Sequence, residues 1–247
     1  SSYTWDGDQS CGGNVGGGNL SATYSDAYDW NNMPDDCTGG CTAAEQDALA
    51  ELCYEIGVSV SMDYGNCGSG TPLYNFVLNA SPLTSNFRYD DDATYNSDFQ
   101  PPLTDADTII NEIQWFRPVE IGGCLNSNGE AHYWVILGYN DGHDPPQFLM
   151  NMGWGGGNVW NTWDAVANSC HNYITQIAPR DTVRFVGNTA AGDGSRDNPH
   201  KDIEEAIQQA PDGATLIFKA GSDNTFSSRP LTISKPLTLK GYNVILH

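Results

Sequence analysis

Two stretches in the first half of the chain carry the apolar spacing of amphipathic helices. The clearer one runs from Thr42 to Ile56, where Thr42 and Glu45 have the spacing of a capping box and Gly57 is expected to end the helix. A second helix is predicted over residues 105–116. Residues 1–36 show no sustained periodicity and are predicted to be loop, with room for a short strand.

Alternating apolar and polar positions follow these helices. They predict strands over residues 119–121, 132–139 and 148–152, separated by turns rich in Gly, Asn, Asp and Pro. A shorter alternating run over residues 58–63 is also predicted to be extended. Because most strands come after the helices instead of alternating with them, the pattern predicts an α+β fold.

A different pattern follows residue 180. It predicts one helix over residues 199–210 and four short strands, at residues 182–186, 215–219, 231–233 and 237–239. Short strands linked by turns are typical of a repeating β architecture, and we expect this segment to be the opening of such a repeat.

The charge of the chain narrows the classes of function. It holds 31 acidic and 10 basic residues, a formal net charge of −21, which leaves too few cations to contact nucleic-acid phosphates or an anionic membrane surface. No apolar run approaches the roughly 20 residues of a spanning helix, so no membrane insertion is expected.

Charge and cysteine content also change along the chain. Residues 1–180 hold 23 acidic residues, three basic residues and all seven cysteines, whereas residues 181–247 hold eight acidic and seven basic residues, including all four lysines. Two independent compositions therefore predict two domains, residues 1–180 and 181–247.

The cysteines predict disulfides and an oxidising, extracellular or cell-surface location. Cys37 and Cys41 can close a small loop, while Cys11, Cys67, Cys124 and Cys170 can pair in several ways, and the odd count leaves one thiol over.

No CxxC pair is present, so a zinc site is not favoured. A calcium site over residues 90–98 is the alternative to a solvated loop, but its spacing matches no established calcium loop, and neither metal nor cofactor is expected.

His132 and Asn151 are the candidate catalytic residues. They lie at the ends of neighbouring predicted strands, and cysteine hydrolases use a His to take the thiol proton and an amide to orient the imidazole. Trp154 follows closely, and an indole beside such a pair would shield it from water. A single His on a strand is also compatible with a structural role.

The order of several motifs resembles the streptopain family of bacterial secreted cysteine peptidases, in the papain-like clan. The collinear match covers about residues 24–178 and includes Tyr28-Asp-Trp30-Asn-Asn-Met-Pro34, Glu55-Ile-Gly57-Val-Ser-Val60-Ser-Met62-Asp63-Tyr64-Gly65, Arg117-Pro118-Val119, Gly129-Glu-Ala-His132-Tyr-Trp-Val-Ile-Leu-Gly138 and Asn151-Met-Gly153-Trp154-Gly155-Gly156. The resemblance implies a papain-like fold with His132 as general base, Asn151 as its orienting partner and Trp154 as the packing indole.

The family's nucleophile is not found in this pattern. In the family the catalytic cysteine precedes the Tyr-x-Trp-Asn segment and begins a helix rich in Ala and Thr, so we expect it on an upstream segment. Cys41, which precedes the predicted Thr42 helix, and Cys11 are the alternatives within the chain. Cys11 is followed by a glycine run that cannot form the required helix, and Cys37 can pair with Cys41.

Residues 181–247 resemble the capping helix and first coil of a right-handed parallel β-helix of the pectin-lyase-like kind. The motifs are Gly192-Asp-Gly-Ser-Arg-Asp-Asn-Pro199, Gly213-Ala-Thr-Leu-Ile-Phe-Lys-Ala220-Gly221 and Leu231-Thr-Ile-Ser-Lys-Pro-Leu-Thr-Leu239-Lys-Gly241. One coil leaves an open edge through which chains can assemble.

Two functions follow from these expectations. The first is a secreted cysteine endopeptidase, or a processed fragment of one, acting on proteins or peptides with an upstream fragment of its precursor as partner. The alternative is a peptidase-derived module that serves in adhesion, at the surface or in filament assembly.

Overall fold

A computed structural model of the chain describes residues 1–8, 10–25, 27–34, 37, 39–76, 82–97, 106–125, 131–154, 157–166, 169–179, 183–187, 192, 194, 198–220, 223–224, 232–242 and 244–246. The chain forms two compact units, one of residues 1–88 with 153–157 and one of residues 89–152 with 158–247. The division into domains at residue 180 stays a prediction.

The first unit opens with an antiparallel hairpin of β1 (Ser2–Asp8) and β2 (Val15–Ser21). For residues 1–36 the prediction was a loop with room for a short strand, so the two seven-residue strands are more extended structure than was predicted. Three consecutive glycines give β2 no side-chain alternation. The hairpin needs the middle one, because a Cβ on Gly17 would collide with the backbone of Trp5 and Asp6. The close approach of the β1 and β2 backbones leaves no apolar pattern in the sequence from which this strand could be predicted.

The first long helix, α1 (Ala43–Ser59), is capped as predicted. Thr42 accepts a hydrogen bond from the backbone N–H of Glu45, and the Glu45 carboxylate accepts one from the backbone N–H of Thr42 at 2.7 Å. The helix continues past Gly57, so both the predicted end and the strand over residues 58–63 are wrong. Gly57 is buried against the ring of Tyr64, where a Cβ would collide with the phenol, so it serves packing instead of ending the helix. The rest of the unit holds a short 3-10 turn at Leu73–Phe76 and α2 (Pro82–Ser85).

A six-stranded antiparallel sheet and one helix form most of the second unit. The strands are β3 (Thr94–Ser97), β4 (Val119–Cys124), β5 (Ala131–Asn140), β6 (Gln147–Asn151), β7 (Asn158–Thr162) and β8 (Ser169–Thr175). Their spatial order is β3-β8-β4-β5-β6-β7. The three strands predicted in this part of the chain are confirmed as β4, β5 and β6, and the predicted second helix is α3 (Ala106–Gln114).

The main core lies on the face of this sheet that α3 covers. It contains Ile109, Val119, Ile121, Trp134, Ile136, Phe148, Met150, Met152, Trp163 and Tyr173, all at most 7% exposed. The alternation of apolar residues in β4, β5 and β6 directs every second side chain into this core. We call this side of the sheet the core face and the other side the outer face.

A buried ion pair connects α3 to the sheet. The Nε and Nη2 atoms of Arg117 each lie 2.8 Å from a different carboxylate oxygen of Glu112, and both side chains are at most 5% exposed. Glu112 also accepts a hydrogen bond of 2.8 Å from the backbone N–H of Gln176, next to the end of β8. One carboxylate thus joins the end of α3, the entry to β4 and the exit from β8.

The remaining part of the second unit is built on parallel strands. It holds β9 (Val183–Val186), α4 (Ile203–Gln209), β10 (Thr215–Phe218), β11 (Asp223–Asn224), β12 (Thr238–Lys240) and β13 (Ile245–Leu246). Strand β10 pairs in parallel with β9 and β12, and β11 pairs in parallel with β13. The predicted helix and three of the four strands are confirmed in position. Thr232 and Ile233 are not in a strand, and residue 231 lies outside the described residues.

This part packs on the end of α3. Trp115, Ala178 and Ile217 form a small buried cluster, and the backbone N–H of Ala220 donates a 2.9 Å hydrogen bond to the carbonyl oxygen of Gln114. The ammonium group of Lys219 lies 5.8 Å from the centre of the Trp115 ring. None of the helices in the described ranges is both long and apolar enough to cross a membrane.

Candidate active site

His132 lies at the beginning of β5, opposite Gly123 of β4. Its Nε2 atom is 2.7 Å from the carbonyl oxygen of Met152. Because a carbonyl oxygen only accepts hydrogen bonds, this contact requires the proton to be on Nε2. In the neutral ring Nδ1 then carries the lone pair, so Nδ1 is the basic atom of this imidazole.

The ring of Trp134 lies against that of His132. The ring centres are 6.1 Å apart, the planes are inclined by 18°, and Trp134 is 2% exposed in the main core. The indole therefore presents a rigid wall to the imidazole and limits its rotation. Neither this contact nor the Met152 carbonyl was among the predicted site residues, although the alternation in β5 already places His132 and Trp134 on one face.

Asn151 is the last residue of β6 and lies opposite Val135 of β5. The start of β5 and the end of β6 meet at the same end of the sheet, so the structure brings the predicted segments of His132 and Asn151 together. The ladder register places Asn151 with Val135 on the outer face, whereas His132 shares the core face with Trp134. The described contact at Nε2 comes from the next residue, Met152. The orienting role of Asn151 stays a prediction.

Trp154 belongs to the short segment that forms part of the first unit. It is 65% exposed, and the preceding Gly153 has a φ of 72°, in the region that favours glycine. The role of Trp154 as a packing indole also stays a prediction.

Six of the seven cysteines form disulfides. The pairs are Cys11–Cys67, Cys37–Cys41 and Cys124–Cys170. The expected small loop is thereby confirmed, and neither Cys41 nor Cys11 has a free thiol. The remaining thiol, Cys53, is exposed on the C-terminal half of α1. It therefore does not begin a helix, as the nucleophile of the family is expected to do.

Among the described residues two carboxyl groups, those of Glu120 and Asp90, have raised pKa values. Burial raises the pKa of Glu120 on β4 to about 7. Burial and the neighbouring Asp91 and Asp92 raise the pKa of Asp90. Within the described ranges these three aspartates are the one group of metal-ligand type whose oxygens all lie within 4.8 Å of one another. Clustered exposed carboxylates are common on acidic proteins, and the group gives no further indication of a metal.

Comparison with known proteins shows the family of the chain. A sequence model of the peptidase C10 family matches residues 1–159, more than half of the chain. The chain belongs to the peptidase C10 family. The resemblance to streptopain is thereby confirmed, and the match extends to the hairpin at residues 1–21, which the motif comparison had left out.

Three relatives show how far the similarity reaches. The thiol protease/hemagglutinin PrtT of Porphyromonas gingivalis is 30% identical over 196 residues, which is 77% of this chain and 20% of PrtT. Streptopain of Streptococcus pyogenes is 34% identical over 132 residues, 52% of this chain and 31% of streptopain. The active cysteine protease interpain A of Prevotella intermedia has a similar structure, with a TM-score of 0.55 and 25% identity over 72% of this chain and 74% of that one.

These relatives establish a mixed α/β peptidase fold that resembles interpain A, with a core that is mostly sheet. The chain spans a fifth to a third of the length of the two curated relatives.

Proposed function

We propose that this C10 peptidase chain is the histidine-bearing part of an extracellular cysteine endopeptidase, with its nucleophile on an upstream segment. The observation that carries the proposal is the 2.7 Å contact between Nε2 of His132 and the Met152 carbonyl, which leaves Nδ1 as a base. The family match supports a cysteine peptidase, and the three disulfides support an oxidising, extracellular environment.

In this mechanism Nδ1 of His132 accepts the proton of the cysteine thiol. The thiolate attacks the peptide carbonyl carbon, and the imidazolium then gives its proton to the leaving amine. Water hydrolyses the resulting thioester and frees the cysteine. The Met152 carbonyl stabilises the imidazolium by accepting a hydrogen bond from its Nε2–H.

The state of the cysteines supports the position of the nucleophile outside this chain. A thiol held in a disulfide cannot attack a carbonyl, which removes six of the seven cysteines. Cys53 lies within the C-terminal half of α1, whereas the nucleophile of the family is expected at the beginning of a helix.

Labelling of the native protein with a peptidyl epoxide, followed by denaturing mass spectrometry, tests the proposal. We expect the label on a cysteine peptide that is absent from these 247 residues, and His132→Ala should abolish labelling while the fold is retained. A label on Cys53 would show that the nucleophile lies in this chain. No label, with no second polypeptide bound, would refute the peptidase proposal.

A second candidate function is adhesion or assembly through the parallel strands of residues 181–247. The parallel pairing of β9, β10 and β12 supports a β-helix, and Ile233 and Leu239 near the outer strand are 44% and 43% exposed. The near-neutral charge of this region would let copies approach each other despite the acidic remainder. Sedimentation tests it: Leu239→Lys should reduce self-association, and a chain that is monomeric at all salt concentrations would exclude it.

A further inference from the structure

The outer face of the six-stranded sheet carries an exposed aromatic platform. In the ladder of β5, β6 and β7, Trp160 lies opposite Leu149, and Leu149 lies opposite Gly138. These three residues form one row across three strands, with all three side-chain directions on the outer face. Leu137, the extra residue of the β-bulge in β5, adds a side chain that is 44% exposed beside this row.

The indole of Trp160 lies flat along the sheet. A Cβ built on Gly138, two strands away, would lie 3.8 Å from Cη2 of Trp160 and 3.3 Å from Cβ of Leu149. The ring can reach that point only by extending across Leu149 towards β5. Because Trp160 is 49% exposed, one face of the ring packs on the sheet and the other is open to solvent. The missing side chain at Gly138 is what makes room for the ring.

Two rows of neutral polar side chains flank this platform, each about 7 Å from it along the strands. One row contains Asn158 and Asn151, and the other contains Thr162, Gln147 and Asn140. The Oδ1 atom of Asn140 accepts a hydrogen bond from the backbone N–H of Gly142, and this contact fixes the orientation of the Asn140 amide. Asparagine and glutamine side chains both donate and accept, so the rows offer paired hydrogen-bonding groups without charge.

These flanking positions carry no charge, although the chain as a whole has a net charge of −21, and this limits the class of ligand that the face can bind. A basic partner would select acidic side chains at its contact, and an anionic ligand would be repelled by the whole molecule. A pyranose ring instead has one face of C–H groups, which packs on an aromatic ring, and a rim of hydroxyl groups, which pair with amides. A neutral sugar is the ligand class that matches both features.

We propose that the outer face of β5–β7, centred on Trp160, binds a neutral oligosaccharide. One sugar ring stacks on the exposed face of the Trp160 indole, and its hydroxyl groups bond to the flanking amides of Gln147 and Asn158. This site involves the face of the sheet opposite to His132 and does not depend on the peptidase proposal.

Titration of the full 247-residue chain with cellohexaose, laminarihexaose and maltohexaose, followed by NMR of the tryptophan indole N–H signals, tests the proposal. We expect at least one hexaose to shift the Trp160 signal at millimolar concentration, whereas oligogalacturonate, which is anionic, should not. Trp160→Ala should raise the Kd at least about tenfold. Trp30→Ala removes a tryptophan that is 66% exposed on the first unit, and this control should leave the Kd unchanged.

Gln147→Ala provides a milder variant, which should raise the Kd by about two- to tenfold through the loss of a hydrogen bond. The proposal is wrong if none of the three hexaoses shifts the Trp160 signal. It is equally wrong if Trp160→Ala and Trp30→Ala weaken binding alike. If Trp160→Ala instead abolishes a dimer seen by sedimentation and no sugar binds, this face is a contact between copies, and the oligosaccharide proposal fails.

Discussion

Replacement of Glu120 by glutamine should stabilise the protein, and more so at high pH. Glu120 lies in β4, opposite Val135 on one side and Ile174 on the other, so two apolar residues flank its carboxyl. The side chain is mostly buried, although part of the residue remains accessible to solvent. Burial disfavours the carboxylate and raises the pKa from its ordinary value of 4.5 to about 7.

The size of the effect follows from this shift. A folded-state pKa of about 7 against 4.5 in the unfolded chain corresponds to a cost of about 3 kcal/mol when the carboxyl is ionised. Because part of Glu120 stays accessible, this value is an upper limit. Below pH 4.5 both states are protonated and the cost vanishes. Between pH 4.5 and 7 only the folded state keeps the proton, so the free energy of unfolding falls with rising pH, and above pH 7 the full cost applies.

Urea denaturation with intact disulfides, repeated from pH 4 to pH 9, measures this difference. Glu120→Gln should exceed the parent protein by up to about 3 kcal/mol above pH 7 and match it near pH 4. The exposed glutamate Glu51 on α1 offers a control, and Glu51→Gln should shift the free energy of unfolding by less than about 0.5 kcal/mol at any pH. A difference for Glu120→Gln that is constant with pH, or largest at pH 4, would refute the reasoning.

Two further predictions concern stability. Glu112→Gln should lower the free energy of unfolding, measured in urea, by about 3–5 kcal/mol, because it leaves the buried Arg117 guanidinium without its carboxylate. A loss below about 1 kcal/mol would show that the pair does not join α3 to the sheet. Thr42→Ala should lower the free energy of unfolding by about 1 kcal/mol, since it removes the side chain that caps α1. Thr42→Ser keeps a capping hydroxyl and should lose much less. Equal losses for both variants would exclude capping as the cause.

The sequence predicted best those elements whose side chains alternate or repeat with a clear period. The run from His132 to Tyr139 differs from β5 by one residue at each end, because it is a continuous stretch of strand-forming residues whose Trp134 and Ile136, two positions apart, both enter the main core. The hairpin at residues 1–21 was missed because the glycine run of β2 carries no periodic signal, and the requirement for Gly17 comes from the neighbouring backbone of β1. The end of α1 was predicted wrongly at Gly57 for a related reason. This glycine makes room for the Tyr64 ring, and the helix continues past it.

The candidate site could be predicted only in part. His132 and Asn151 have side chains of recognisable chemistry, so a motif identifies them. The group that contacts Nε2 of His132 is a backbone carbonyl, which any residue at position 152 would supply, and no sequence pattern marks it. The platform at Trp160 likewise depends on the bulge at Leu137, which sets the register between β5 and β6 and is visible only in the structure.

The disulfide between Cys124 and Cys170 affects what happens when a protease cuts the backbone between these two residues. It joins two residues 46 positions apart, and β5, β6 and β7 all lie between them. The segment that carries His132, Met152 and Trp160 is therefore a closed covalent ring. A single backbone cut anywhere in this ring, by another peptidase or by a second copy, would leave both pieces attached. Hydrogen bonds across the antiparallel ladders would then hold the cut strands in place, and a nicked molecule would keep its shape until the disulfide is reduced.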